Sequence, residues 1–205
     1  TYKSFYPILL GTTKYHKSPY NNTIIMNNTK TGLTKESILF ADRTEYNYTD
    51  SFQYTIKVSP AQMDILTIGD AFSQPGPKWF EMLFSLRNKI AKLVHLKTPD
   101  ITNKKQQESY QWEIGKKAGL FTLYAKTENE LILGDDDKHL NFRVSVFMQP
   151  ATKESSETIV TVSTLVKLNN WLGKVYFFFV KPLHRMFVPI IMGRNFQKLE
   201  SRKQK

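Results

Sequence analysis

Alternating apolar and polar residues mark the strands of this chain. Residues 51–58 alternate in this way, and the same two-residue period predicts further strands at about 118–126, 129–134, 138–148 and 157–168. Short polar turns separate the last four segments. The pattern therefore predicts one early strand and, later in the chain, an antiparallel meander.

Helical spacing fills the gap between these two sheet regions. Ser59 is a suitable N-cap with Pro60 at the first helical position, which predicts a short helix through about Phe72. Apolar residues at spacings of three and four predict a second helix over residues 78–96. The polar residues 97–110 are expected to form a loop that leads into the meander.

A long helix is expected after the meander, from Trp171 towards Lys203. Asn169-Asn170 supplies a cap, and Pro182 and Pro189 lie on one side of the helix, where they would bend it. Burial against the sheet is the favoured interpretation of its many apolar residues.

Two other interpretations of this helix involve a membrane. A transmembrane span would have the right length, but Lys174, Lys181 and Arg185 would each cost roughly 2.5–3.5 kcal/mol to insert. An amphipathic helix lying on an anionic membrane surface would keep these charges in water. A membrane-surface or partner-docking module is therefore retained as an alternative function.

Length and composition indicate one globular domain. The chain has 205 residues, of which 40% are hydrophobic, enough for one substantial core. Residues 1–45 are expected to be an N-terminal extension, disordered or mis-started, with Met26 as a candidate true start, and residues 46–205 to be the domain. The absence of cysteine excludes disulfides and thiolate catalysis, and with no recognisable export signal it favours a cytoplasmic location.

The net charge of +11 is concentrated at the two ends of the chain. Residues 1–35 contain five lysines and no acid, and residues 174–205 contain eight basic residues against the single Glu200. The body is close to neutral, so no specific nucleic-acid partner is expected. The four histidines are scattered without metal-ligand spacing, and no metal site is predicted.

One predicted strand, in the motif from Gly134 to Ser145, has an unusually polar face. One face of this strand carries Leu140, Phe142, Val144 and Val146. The opposite face carries His139, Asn141, Arg143 and Ser145.

Two interpretations of this polar face stay open. In a pocket, Arg143 would bind a carboxylate or phosphate, His139 would donate or accept a proton, and Asn141 and Ser145 would orient the ligand. Alternatively, Asp136 or Asp137 forms an ion pair with Arg143 or His139 at the start of the strand, or with a basic residue of the last helix, and the pair stabilises the sheet.

The predicted order of elements is that of the helix-grip or START-like fold, an α+β fold in which a curved antiparallel sheet surrounds a long C-terminal helix. Four groups of segments are also characteristic together: Tyr48-Thr49-Asp50-Ser51-Phe52; Pro77-Lys78-Trp79-Phe80 with Leu86-Arg87-Asn88; Gly134 to Ser145; and Gly173-Lys174-Val175-Tyr176-Phe177 with Pro182-Leu183-His184-Arg185. In these segments the chain resembles the domain of unknown function family 2867, over about residues 46–193.

The resemblance implies a START-like domain without an established activity, which occurs alone or behind a Rossmann domain similar to short-chain dehydrogenases. This chain contains no Gly-x-Gly pair, so binding of NAD through a phosphate-cradling turn is not expected. No cofactor is predicted, and a separate Rossmann-type oxidoreductase is a candidate partner by analogy.

The predicted function is binding of a small hydrophobic or amphipathic molecule between the sheet and the C-terminal helix. Tyr176, Phe179 and His184 would line this site together with the polar face of the motif. A non-enzymatic role is favoured, because His139 and Ser145 would lie roughly 20 Å apart on a straight strand. A cyclase-like enzyme using His184 and Asp137 as an acid/base pair remains a further alternative.

Overall fold

The computed structural model of the chain describes residues 28–74, 112–152 and 156–204. Seven strands are β1 (Asn28–Thr31), β2 (Tyr48–Ile56), β3 (Lys117–Ala118), β4 (Phe121–Lys126), β5 (Glu130–Asp136), β6 (Leu140–Pro150) and β7 (Thr158–Leu168). They form one antiparallel sheet in the order β1-β2-β7-β6-β5-β4-β3. The predicted meander is therefore present, except that the strand predicted at about 118–126 is divided into β3 and β4. β2 pairs with β7, the last strand of the meander.

Two α-helices of the described residues accompany the sheet, α1 (Ile65–Phe72) and α2 (Trp171–Lys203). Ser59 caps only the short 3-10 turn Pro60–Gln62, whereas Asp64 accepts a hydrogen bond from the Thr67 N–H and caps α1. The predicted helix therefore divides into two pieces. The helix and loop predicted over residues 78–110 lie outside the described residues.

The long helix α2 begins where the sequence predicted. The side chain of Asn170 accepts a hydrogen bond from the Gly173 N–H and caps the helix. The other half of α2 packs Ile191, Met192 and Phe196 into the main core, with apolar residues of α1 and of six strands. This confirms the prediction of an α+β helix-grip fold, in which an antiparallel sheet packs against a long C-terminal helix.

The sheet is buried on both faces. On the face towards α2, which we call the inner face, β6 contributes Val144, Val146 and Met148 to the core. On the other face, the outer face, Ile132 and Leu165 form a smaller cluster with Leu39. Because side chains alternate along a strand, each residue of β6 is committed to one of these two layers.

The segment before β2 covers the outer face, so the domain begins before the predicted boundary at residue 46. β1 pairs with β2, and Leu39 belongs to the outer cluster. Glu130, which is 1% exposed, accepts hydrogen bonds from the Ser37 hydroxyl and the Ile38 N–H. The buried carboxylate therefore ties this segment to the sheet. Met26 lies outside the described residues.

Replacing Glu130 tests this connection. Glu130→Ala leaves the Ser37 and Ser145 hydroxyls and the Ile38 N–H without their shared acceptor. We expect the free energy of unfolding, measured in urea, to fall by about 3 kcal/mol. The control Glu128→Ala, at an exposed position two residues earlier, should change it by less than about 0.5 kcal/mol. Equal losses in the two variants would contradict this role of Glu130.

Candidate functional site

A buried carboxylate lies between β2 and α2. Phe52, Tyr54 and Ile56 of β2 belong to the main core, and alternation puts Asp50 on the same inner face. The Asp50 side chain is only 1% exposed. The strand pattern predicts an apolar side chain at this position, but the residue there is the acidic Asp50.

Two side chains approach Asp50. The Tyr48 hydroxyl donates a 2.6 Å hydrogen bond to Asp50 Oδ2. His184 Nδ1, on α2, lies 3.3 Å from the same oxygen, within ion-pairing distance, but its geometry does not make a hydrogen bond. Among the described residues no donor reaches Asp50 Oδ1. One carboxylate oxygen is therefore shared between two groups, and the other has no described partner.

Burial and the neighbouring Asp50 carboxylate together raise the pKa of Tyr48 well above its ordinary value. The same two causes raise the pKa of Tyr54, which lies six residues further along β2 on the same face. Both phenols therefore remain protonated under physiological conditions, and Tyr48 acts as a hydrogen-bond donor to Asp50.

Helix α2 positions the other half of the site. Tyr48 packs edge-on against Phe177, with ring centroids 4.9 Å apart, and Lys181 lies 5.1 Å above the Tyr48 ring. His184 follows one turn later and is 20% exposed. The site is therefore a carboxylate acceptor at the junction of sheet and helix, with a histidine that can carry a proton beside it.

The predicted polar face of β6 lies elsewhere. Arg143 forms a bidentate ion pair with Asp136, at 2.8 and 3.0 Å, and stacks on the Tyr124 ring at 3.7 Å. Tyr124 packs against the outer cluster. Of the two interpretations offered for Arg143, the structure has the ion pair, and it does not bring Arg143 to the helix.

Ser145 and Asn141 are also committed to structural contacts. The Ser145 hydroxyl hydrogen-bonds Glu130 on the outer side of the sheet. The side-chain amide of Asn141 lies 2.9 Å from that of Asn169, in the connection that leads to α2. Neither residue reaches the layer between sheet and helix, because β6 turns its apolar residues that way.

His139 lies at the start of α2 rather than on the open face of a strand. It is 5% exposed, and its Nδ1 lies 3.0 Å from the cap oxygen of Asn170. A Cβ atom at position 173 would collide with the His139 carbonyl oxygen. Position 173 requires glycine, because the backbone of the motif approaches the first turn of α2 so closely that no Cβ atom fits between them. This contact explains why the motif is accompanied by a glycine at the start of the helix.

The residues expected on the helix divide between its two sides. Tyr176 is buried, whereas Phe179 is 51% exposed and faces away from the sheet. Asp137 accepts a hydrogen bond from the His139 N–H near the helix start, and His184 lies about 21 Å further along α2. The anticipated acid/base pair of His184 with Asp137 does not form, and Asp50 takes the place of Asp137.

Sequence reasoning missed Asp50 and Tyr48. Both belong to the segment Tyr48-Thr49-Asp50-Ser51-Phe52, which had been noted only as part of the resemblance. The signal available in the sequence was the alternation that places Asp50 on the same face of the strand as Phe52, Tyr54 and Ile56. His184 was among the candidates, but its partner could not be identified without the pairing of β2 against α2.

The described residues bring together no group of three His, Asp or Glu side chains that could hold a metal ion.

The family model described as "Protein of unknown function (DUF2867)" matches residues 43–191, and the chain belongs to this family. No curated protein and no solved structure matches the chain. The matched range includes both Asp50 and His184, so the site joins the beginning of the family domain to its end.

The Asp136 ion pair gives a prediction about pH. Its hydrogen bonds from Arg143 hold the pKa of Asp136 below the ordinary value of 3.8. A carboxyl with a lowered pKa in the folded protein contributes stability above its unfolded-state pKa and loses it as the pH falls through the folded-state pKa. We expect Asp136→Asn to lower the free energy of unfolding by about 1–2 kcal/mol at pH 7, and this deficit should shrink as the pH falls below 3.8.

The matched control is Asp135→Asn, since Asp135 forms an exposed pair with Lys117 at 3.3 Å. Its effect at pH 7 should stay below about 1 kcal/mol. Urea unfolding of both variants across this pH range is the measurement. A deficit for Asp136→Asn that stays constant down to the lowest pH would contradict the assignment.

Proposed function

We propose that this domain binds a small amphipathic molecule between the sheet and α2, with the polar end of the molecule at Asp50. The observation that carries the proposal is that Oδ1 of Asp50, whose side chain is 1% exposed, has no hydrogen-bond partner among the described residues. Transfer of a carboxylate out of water is costly unless hydrogen bonds or an opposite charge compensate it. A bound group would supply the compensation that the described residues give only to Oδ2.

The chemistry of Asp50 defines the polar end of the molecule. An ionised carboxylate only accepts hydrogen bonds, so the group that reaches Oδ1 must donate one. Hydroxyl, amide and ammonium groups meet this requirement, and a second carboxylate does not. The polar anchor proposed from sequence, Arg143, would have selected the opposite class of ligand.

The surroundings of Asp50 suit an apolar body. The inner-face neighbours along β2 are Phe52 and Tyr54, and Phe177 packs from α2 against Tyr48. Sites for small molecules combine mainly apolar walls with a few polar groups that fix orientation. Tyr48, Asp50 and His184 would serve as those groups.

Native mass spectrometry of protein purified from cells tests the proposal. We expect a small molecule to accompany the wild-type protein and to leave under denaturing conditions. In Asp50→Asn, loss of a hydrogen bond to a charged group should reduce the bound fraction about tenfold or more. Tyr48→Phe, which removes only the hydroxyl that holds the carboxylate, provides a second variant should Asp50→Asn unfold.

The matched control is Asp42→Asn, at an exposed aspartate that makes no capping hydrogen bond. It should retain the bound molecule. A wild-type protein without any small molecule would count against binding. Full retention of the molecule in Asp50→Asn, with only the melting temperature lowered, would make Asp50 and His184 a brace between sheet and helix.

A further inference from the structure

Helix α2 exposes a row of large apolar side chains on the side facing away from the sheet. The exposed fractions are 69% for Trp171, 42% for Val175, 73% for Phe178, 51% for Phe179 and 53% for Met186. We call these five residues the outer stripe. At 3.6 residues per turn they fall within an arc of about 100° and extend over about 22 Å. They therefore form one continuous apolar surface.

Basic residues border the outer stripe along one edge. Lys174, Lys181 and Arg185 fall within an adjoining arc about 40° wide. Lys174 and Arg185 are exposed, and Lys181 is half-buried beside Tyr48. Between Trp171 and Leu199 the helix contains no acidic residue. The exposed side of α2 is thus apolar in the middle and positively charged along its border.

We propose that the outer stripe docks this domain onto the surface of an anionic lipid membrane. Apolar side chains of an amphipathic helix enter the boundary between headgroups and acyl chains, and flanking Lys and Arg residues contact anionic headgroups. Trp171 at one end suits the same interface, where tryptophan is enriched. This surface is separate from the Asp50 site, which lies under the opposite side of the helix.

A second copy of the chain fits the outer stripe less well. In a twofold dimer with antiparallel α2 helices the same edge of each helix would face its counterpart. The bordering basic residues of both copies would then be brought close together without any acidic partner on α2 before Glu200. Like charges facing each other across an interface are destabilising.

Insertion across the membrane also fits less well. By length and composition, α2 is the described helix that could span a bilayer. Its inner side, however, packs Tyr176 and Phe177 towards the sheet and carries His184 beside Asp50. Spanning would break these contacts and carry Lys174, Lys181 and Arg185 into hydrocarbon. A position on the membrane surface preserves the fold. It places the apolar residues of the outer stripe in contact with lipid and leaves the charged residues among the headgroups and water.

Co-sedimentation with lipid vesicles tests the docking surface. We expect the full chain to bind vesicles containing phosphatidylserine and to bind phosphatidylcholine vesicles much less. Charge reversal in Lys174→Glu/Arg185→Glu should lower the partition coefficient by about tenfold or more. Added salt should weaken binding of the wild-type protein, because exposed charges are screened.

Two matched controls separate position from general charge or hydrophobicity. Lys198→Glu/Arg202→Glu makes the same change in net charge on the same helix, about 150° or more from the centre of the outer stripe, and should reduce binding far less. Phe178→Ser/Phe179→Ser should abolish most binding, whereas Ile114→Ser, at a 66% exposed position outside the helix, should not. Circular dichroism establishes that each variant is folded.

Several results would overturn the proposal. Equal binding to neutral and anionic vesicles would show that the basic residues along the border do not contribute to binding. Equal losses in the two charge-reversal variants would show that the position of the basic residues on the helix does not matter. Resistance of bound protein to alkaline carbonate extraction would indicate a span. A concentration-dependent dimer that Phe178→Ser/Phe179→Ser disrupts, without vesicle binding, would assign the outer stripe to a second copy.

Discussion

The two-residue alternation of the central strands is the constraint on which the rest of the structure depends. In β6, Val144 and Val146 must face α2, so Arg143 and Ser145 must face the segment that covers the outer side. A shift of one residue would exchange the two layers and place a guanidinium in the main core. The polar residues of β6 can therefore stabilise the outer layer, but they cannot also line the space between the sheet and α2.

Two buried carboxylates in this domain differ in how their oxygens are hydrogen-bonded. Glu130 accepts hydrogen bonds from two hydroxyls and one backbone N–H, so both of its oxygens have protein partners. Asp50 is similarly buried, yet its described contacts gather at Oδ2. Because buried polar groups in folded proteins are almost always paired, the contrast supports the proposal that a ligand contacts Asp50 rather than Glu130.

Periodicity was sufficient for much of the fold and insufficient for the site. The strands from Phe121 onwards and the helix from Trp171 are long and regular, and propensity, capping and pattern agree in them. β1 was missed because its four residues, Asn28–Thr31, have little apolar pattern and depend on pairing with β2. The Asp50 and His184 pair joins residues far apart in the chain, and only the tertiary packing of β2 under α2 brings them together.

Helix α2 has apolar residues on two sides for two different reasons. Its inner side completes the core, and burial there accounts for Tyr176, Phe177 and Phe196. The sheet cannot account for the outer stripe, since a helix of a soluble domain needs only one apolar side. His184 and Arg185 are adjacent in the chain but face the inner site and the basic border, respectively. Docking through the outer stripe would therefore hold the Asp50 site within one helix diameter of the lipid, about 10 Å.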